Sequence, residues 1–283
     1  MQPIFVAEIC SNHNGSLSRA IELIKCAAKA GADVAKFQLF RMDKLFAPEV
    51  MARSLKHQDR RAWELPVEWL PTLAAACKKY GIKFACTPFY LEAVEQLYPY
   101  VAFYKISSYD LLRTDLLKAV AATGKPVVLS TGMATVEEVK RASSTIRTGG
   151  CEDLTALYCV SSYPATEVYL SVIDSLEWII PQWVSIGYSD HTVSPAVIYR
   201  AVHRWKASMV EFHLDLDGQG WEFGLGHCWL PEQVGTMIKT VRDGIAADGS
   251  RGVKLPAVSE LLERNWRADP SDGLRPMREM REK

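Results

Sequence analysis

The sequence predicts a single (β/α)8 TIM barrel, an α/β fold. Short β-branched or aromatic runs alternate with helical segments, the pattern of a parallel sheet wound by crossover helices. Eight such runs occur within 283 residues. Eight units at this length fit a closed barrel better than a doubly wound sheet, because no second domain's worth of chain is left over.

The runs lie at 4–10, 34–39, 83–89, 103–108, 126–131, 154–160, 184–190 and 209–214. After the first comes a helical stretch, 17–30, with apolar residues at three and four spacing, closed by Gly31. The second run leads into 40–66, far longer than the usual two to six residues and long enough for a short helix that acts as a lid. Helical spacing resumes at 69–80, 136–146 and 194–205, and Gly81, Gly124 and Gly149 follow helical stretches in cap positions. The connection after the eighth run, 215–229, is rich in glycine and aromatics. From 256 to 283 a helix is expected to lead into a charged, Pro-containing extension, so the barrel is expected over 1–255 and the extension over 256–283.

Composition narrows the partners. The 33 Lys+Arg balance 33 Asp+Glu, which removes the basic excess that nucleic-acid binding requires. An anionic small molecule then needs a local cluster of cations. No apolar run reaches the roughly 18 residues of a membrane helix, and Met1-Gln2-Pro3 leads straight into the first strand with no room for a signal peptide, so the expected location is cytoplasmic. The seven cysteines form no CxxC pair and are odd in number, which suggests neither a disulfide framework nor a zinc ribbon.

In a barrel, chemistry belongs where strands end. The eight runs deliver, in order, Glu8 with Asn12-His13-Asn14-Gly15, Lys36 and Gln38, Thr87, Lys105 with Ser107, Ser108 and Asp110, Ser130-Thr131-Gly132, Ser161-Ser162-Tyr163-Pro164, Ser189-Asp190-His191, and Glu211 with His213. Lys36 and Lys105 sit among apolar and aromatic neighbours, where an unpaired ammonium is costly. Each needs a counter-charge: a buried carboxylate such as Glu8 or Glu211, or an anionic ligand. With the hydroxyls of Thr87, Ser108, Ser130 and Ser189, the ring reads as a phosphate-plus-carboxylate pocket. His191 and His213 end adjacent strands, so their imidazoles suit Mn, Fe, Co or Zn, although a strand-end histidine also serves as a structural or acid/base group. His57 and His203 read as surface residues, and the sequence leaves His227 undecided.

Taken in order on successive strands, several motifs together resemble the N-acetylneuraminate (sialic acid) synthase family of phosphoenolpyruvate-condensing enzymes. They are Ala7-Glu8-Ile9-Cys10-Ser11-Asn12-His13-Asn14-Gly15, Ala32-Asp33-Val34-Ala35-Lys36-Phe37-Gln38, Thr87-Pro88-Phe89, Tyr104-Lys105-Ile106-Ser107-Ser108, Leu129-Ser130-Thr131-Gly132-Met133 and Gly187-Tyr188-Ser189-Asp190-His191-Thr192. The resemblance implies condensation of phosphoenolpyruvate with the aldehyde of an N-acylated hexosamine, giving a nonulosonic 2-keto-3-deoxy acid and phosphate. It also implies that Lys36, Thr87, Lys105, Ser108, Ser130 and Ser189 bind phosphoenolpyruvate, that Glu8 contacts the sugar, and that His191 and His213 bind a divalent ion, Mn2+ first, with Mg2+ or Co2+ as alternatives. Gln38 and Tyr163 join the substrate-binding set, and a homodimer is implied by the family.

The sequence departs from that pattern at instructive places. The family's catalytic glutamate is Asp110 here, one methylene shorter, and its phosphoenolpyruvate-contacting asparagine is Ser161. The family's sugar-binding aspartate in the last long loop has no clear counterpart, with Glu222 and His227 the replacement candidates. The sequence to Lys283 has no counterpart of the antifreeze-like domain that supplies an arginine to the sugar site in better known members, so the acceptor pocket is expected to be completed another way. Asp110 is expected to serve as acid/base, the other reading being a cap on the helix near Thr114 or a pair with Arg113. Two rival functions remain: the same chemistry on a different or phosphorylated acceptor, and a non-catalytic ligand-binding barrel.

Overall fold

Eight parallel strands close on themselves in sequence order in the computed structural model, which describes residues 2–249 and 252–281. They are β1 Ile4–Glu8, β2 Val34–Leu39, β3 Lys83–Pro88, β4 Tyr104–Ile106, β5 Val127–Ser130, β6 Leu154–Tyr158, β7 Val184–Asp190 and β8 Met209–Leu214. Closure is made by β8 pairing back on β1, from Ile4↔Met209 to Glu8↔His213. A two-residue strand, β9 (Cys228–Trp229), adds to β8 in the register His213↔Cys228. The fold is the predicted (β/α)8 barrel.

Between the strands run α1 Leu17–Lys29, α2 Met42–Leu45, α3 Pro48–Arg53, α4 Leu55–Asp59, α5 Leu70–Lys79, α6 Leu91–Leu97, α7 Thr114–Ala121, α8 Val136–Thr148, α9 Ser171–Ile179 and α10 Pro195–Tyr199. Helix α11, Pro231–Asp248, follows β9. Their apolar faces cover the barrel's outside: in α1, Ala20, Leu23, Ile24 and Ala27 are buried at three and four spacing. Inside, Val6, Val34, Ala85, Phe103, Val128, Leu157 and Met209 form a separate apolar plug. Side chains two residues apart on a strand share a face, so the next inward layer is set directly above that plug.

Several expectations need correction. The 194–205 stretch is not one α-helix, because α10 gives way to a π-helical turn, Arg200–Arg204. Gly149 does cap α8 as expected, though in right-handed conformation, and the left-handed residue, Gly150 (φ +108), follows it. The 40–66 lid holds α2, α3, α4 and a 3-10 turn, Arg60–Trp63, anchored by the cluster Phe40, Met42, Met51 and Phe89. Among the described residues no long helix starts near residue 256. The described residues there form 3-10 turns at Val258–Glu260 and Glu263–Trp266, in a stretch containing Pro256, Pro270 and Pro276, and then a short helix, Arg278–Arg281. By its contacts the chain divides into two compact units, Met1–Ile245 and Ala246–Lys283. Among the described residues no helix is long and apolar enough to cross a membrane.

Candidate active site

Directly above the plug the barrel turns polar. One step of two residues beyond Val6, Val34, Ala85, Phe103, Val128, Leu157, Gly187 and Met209 stand Glu8, Lys36, Thr87, Lys105, Ser130, Cys159, Ser189 and Glu211, all lining a pit of about 60 Å³. Lys36 forms an ion pair with Glu8, lies 3.7 Å from Glu211 Oε2 and donates to Thr87 Oγ1 at 3.3 Å. Lys105 donates to Ser130 Oγ at 2.6 Å and to the Ile106 carbonyl at 3.2 Å, with Glu211 Oε1 at 3.6 Å. Ser189 Oγ donates to the same Glu211 oxygen at 3.4 Å.

Two ammonium groups thus face two carboxylates, so the counter-charges of both lysines are Glu8 and Glu211. Burial pushes Lys36 down to about 8, against the pull of Glu211. Burial raises Glu211, but the Lys105 and Lys36 charges outweigh it and leave the carboxyl below its usual range. Glu211 stands 3.7 Å from Lys36 and 3.6 Å from Lys105, farther than Glu8 stands from Lys36, which makes it the looser of the two counter-ions.

The pit opens into a chamber of about 590 Å³ lined on one side by the lid residues Phe46, His57, Arg60 and Trp63, and on the other by Tyr163, Leu225 and His227. Gln38, Ser107, Tyr109, Tyr163 and His213 border both spaces, so the two are continuous. Asp110 lines the chamber from a 3-10 turn, Ser108–Asp110, accepting a hydrogen bond from Ser107 Oγ at 2.6 Å. Burial raises its carboxyl above the usual range, and the Ser107 bond opposes this.

The chamber's far wall is an aromatic cluster. The rings of His191 and His213 lie 5.4 Å apart, and Tyr163 packs 4.3 Å from His191. His191 Nδ1 lies 2.7 Å from the Val160 carbonyl; that carbonyl can only accept, so Nδ1 carries the proton and Nε2 keeps its lone pair. Glu222, 3.2 Å from His213 Nδ1, fixes that ring in the same manner. Burial lowers His191 to about 4, so it is neutral near pH 7. Two imidazoles whose Nε2 atoms are left free by the bonds at Nδ1 fit a divalent first-row ion.

The NeuB family model matches residues 23–252. The chain belongs to the NeuB family. It is 32% identical over 282 residues to the spore coat polysaccharide biosynthesis protein SpsE of Bacillus subtilis, covering 94% of this chain and 74% of that protein. It is 33% identical over 229 residues to the N,N'-diacetyllegionaminic acid synthase of Campylobacter jejuni, covering 76% and 68%. The crystal structure of the N-acetylneuraminic acid (sialic acid) synthetase from Leptospira borgpetersenii, in complex with citrate, superposes with a TM-score of 0.81 at 28% identity, covering 96% of this chain and 93% of that one. Within the NeuB family this chain is an enzyme of the synthase type.

Against that background, Glu8, Lys36, Gln38, Thr87, Lys105, Ser108, Ser130, Ser189, His191 and His213 all border the pit, and Gln38, Asp110, Tyr163 and Glu222 border the chamber. Ser161 lines neither; its buried Oγ has no hydrogen-bond partner, and any side chain at Gly132 would collide with it and with Ser108 Oγ. Asp110 does not cap the helix at Thr114, which has no side-chain cap, and its nearest Arg113 nitrogen is 4.0 Å away. His57, expected on the surface, faces the chamber. His227, undecided in the sequence, packs 4.4 Å from His213.

Loop 215–229 reaches the site because the first strand's extension holds it. Asn12 donates to the Leu214 carbonyl at 3.0 Å and accepts from the Glu222 N–H at 2.8 Å, while Asn14 accepts from the Trp221 N–H at 2.9 Å. Buried Asp215 accepts from Gly218 and Gly220 N–H groups and pairs with Arg19 at 2.8 Å. Four polar side chains therefore brace the loop that carries Glu222.

Proposed function

We propose that the enzyme condenses phosphoenolpyruvate with the open-chain aldehyde of an N-acyl hexosamine, giving a nonulosonic acid and phosphate. The observation that carries this is the two-compartment site: a small polar pit with two lysines opening into a larger, partly aromatic chamber, with His213 at the junction, His191 on the pit side and Asp110 on the chamber side.

In this reading Lys36, Lys105, Thr87, Ser108, Ser130 and Ser189 hold the phosphate and carboxylate of phosphoenolpyruvate in the pit, and Ser161, which lines neither space, has no part in it. An incoming anion displaces Glu211 from the lysines, since the charges already present cancel. Phe46, Trp63, Tyr109, Tyr163 and Leu225 offer apolar surface to the acceptor's N-acyl group, and Glu8 and Glu222 offer acceptors to its hydroxyls. The new bond joins C3 of phosphoenolpyruvate to the aldehyde carbon, water adds at C2, and phosphate leaves as the keto group forms. Asp110, with its raised pKa, takes the proton of the attacking water. His191 and His213 would hold a divalent ion, Mn2+ first, whose chemistry is polarisation of the aldehyde oxygen. Arg60, at the chamber wall, supports a second reading in which the acceptor is phosphorylated.

Calorimetric titration with phosphoenolpyruvate tests the pit assignment. Binding in the wild type, and binding weakened tenfold or more in Lys105→Ala, is expected. Equal binding by both proteins would overturn it.

A further inference from the structure

The last long loop brings a third imidazole to the histidine pair. Strand β9 pairs with β8 in the register His213↔Cys228, which seats the preceding residue, His227, beside His213. His227 is buried at 2% exposure, and its Nδ1 has no hydrogen-bond partner. A buried polar atom left unpaired in this way asks for a ligand. The three ring centroids lie 4.4 Å (His213 and His227), 5.4 Å (His191 and His213) and 6.1 Å (His191 and His227) apart. Ligand nitrogens sit about 2.1 Å from such an ion, so rings sharing one at tetrahedral or octahedral angles have centroids roughly 4.5–5.5 Å apart. Of the observed distances, 5.4 Å falls within that range, 4.4 Å just below it and 6.1 Å above it, so His191 and His227 must draw closer to share an ion.

Glu222 ties the cluster together. Its Oε2 lies 3.2 Å from His213 Nδ1 and 3.9 Å from His227 Nε2, and its Oε1 receives the Cys10 thiol at 2.6 Å. One ligand atom from each of His213, Glu222, His227 and Cys228 falls within 4.8 Å of the others.

We infer that this chain holds its divalent ion with three imidazoles, those of His191, His213 and His227, with the Glu222 carboxylate set between two of them. Three nitrogen ligands favour Co2+, Zn2+ or Mn2+ over Mg2+, which prefers oxygen and water. The inference rests on the divalent-ion part of the proposed function and is independent of the acceptor.

Cobalt binding without substrate tests it. X-ray absorption of the cobalt-loaded wild type should count three imidazoles. His227→Gln, His227→Ala and His191→Ala should each weaken cobalt binding by about tenfold to a hundredfold, while metal-free His227→Gln should still bind phosphoenolpyruvate. A count of two imidazoles, or His227→Gln binding cobalt like the wild type, would overturn the inference and leave the proposed reaction standing. A wild type that binds no cobalt, zinc or manganese would overturn both the inference and the ion's place in the proposed reaction.

Discussion

Lys36 and Lys105 occupy equivalent steps of two strands, yet their losses should differ. Lys105 shares Glu211 with Lys36, so Lys105→Ala leaves no carboxylate alone and should cost mainly ligand affinity, tenfold or more for a charged hydrogen bond of roughly 1.5–3 kcal/mol. Lys36→Ala strands Glu8 in the barrel and should also lower stability by about 3–5 kcal/mol, measurable by denaturant unfolding. Lys36 further predicts opposite pH trends. Its folded pKa of about 8 lies below the ordinary 10.5, so between these values the unfolded chain binds more protons and stability rises with pH. Over the same window the ammonium is lost from the pit, and phosphoenolpyruvate binding should weaken as pH rises through about 8. Calorimetry across pH 7–10 checks this, with Lys36→Arg, charged throughout, expected to hold a flatter profile. Asp110→Asn should lower kcat about 10²–10⁴-fold with phosphoenolpyruvate affinity largely kept; near-normal turnover in single-turnover assays would move the proton-transfer role elsewhere. The lysines were legible in the sequence because a charge inside an apolar strand stands out. Placing Glu211 between both lysines needed barrel closure, and bringing His227 to His213 needed β9.

At the level of elements, the 215–229 loop depends on groups far away in sequence. Arg19 belongs to α1, nearly two hundred residues before Asp215, and bridges it together with Asp217. Arg19→Ala should destabilise the protein by roughly 1.5–3 kcal/mol and, by loosening Glu222, raise the acceptor KM more than it lowers phosphoenolpyruvate affinity. Equal effects on both substrates would show that the loop does not act on the acceptor side. Strand positions were readable from their β-branched runs, and β2, β7 and β8 run over the predicted residues. Where runs overshot, the backbone leaves the ladder, as at Cys10, whose φ is +46. Helix α11 escaped sequence reading because Gly235 and Gly244 dilute its propensity. Tertiary burial of Val234, Met237, Ile238 and Val241 sustains it. The tail's expected helix failed for the converse reason: Val258, Leu261, Leu262 and Trp266 are all exposed, so no burial compensates for weak local preference.

At the scale of the whole barrel, the interior changes character over a single layer, from an apolar plug to a charged pit, under a chamber lined by the 40–66 connection and the last loop. That gradient places a small anion deep and a larger partner above it, the order a condensation between them requires. The most direct test incubates the protein with phosphoenolpyruvate, Mn2+ and a panel of N-acyl hexosamines, and measures inorganic phosphate together with product mass. Phosphate release in step with a nine-carbon keto-deoxy acid, only when phosphoenolpyruvate and an acceptor are both present, is predicted. A protein that binds phosphoenolpyruvate yet releases no phosphate with any free or phosphorylated acceptor would contradict the condensation and return the barrel to ligand binding alone.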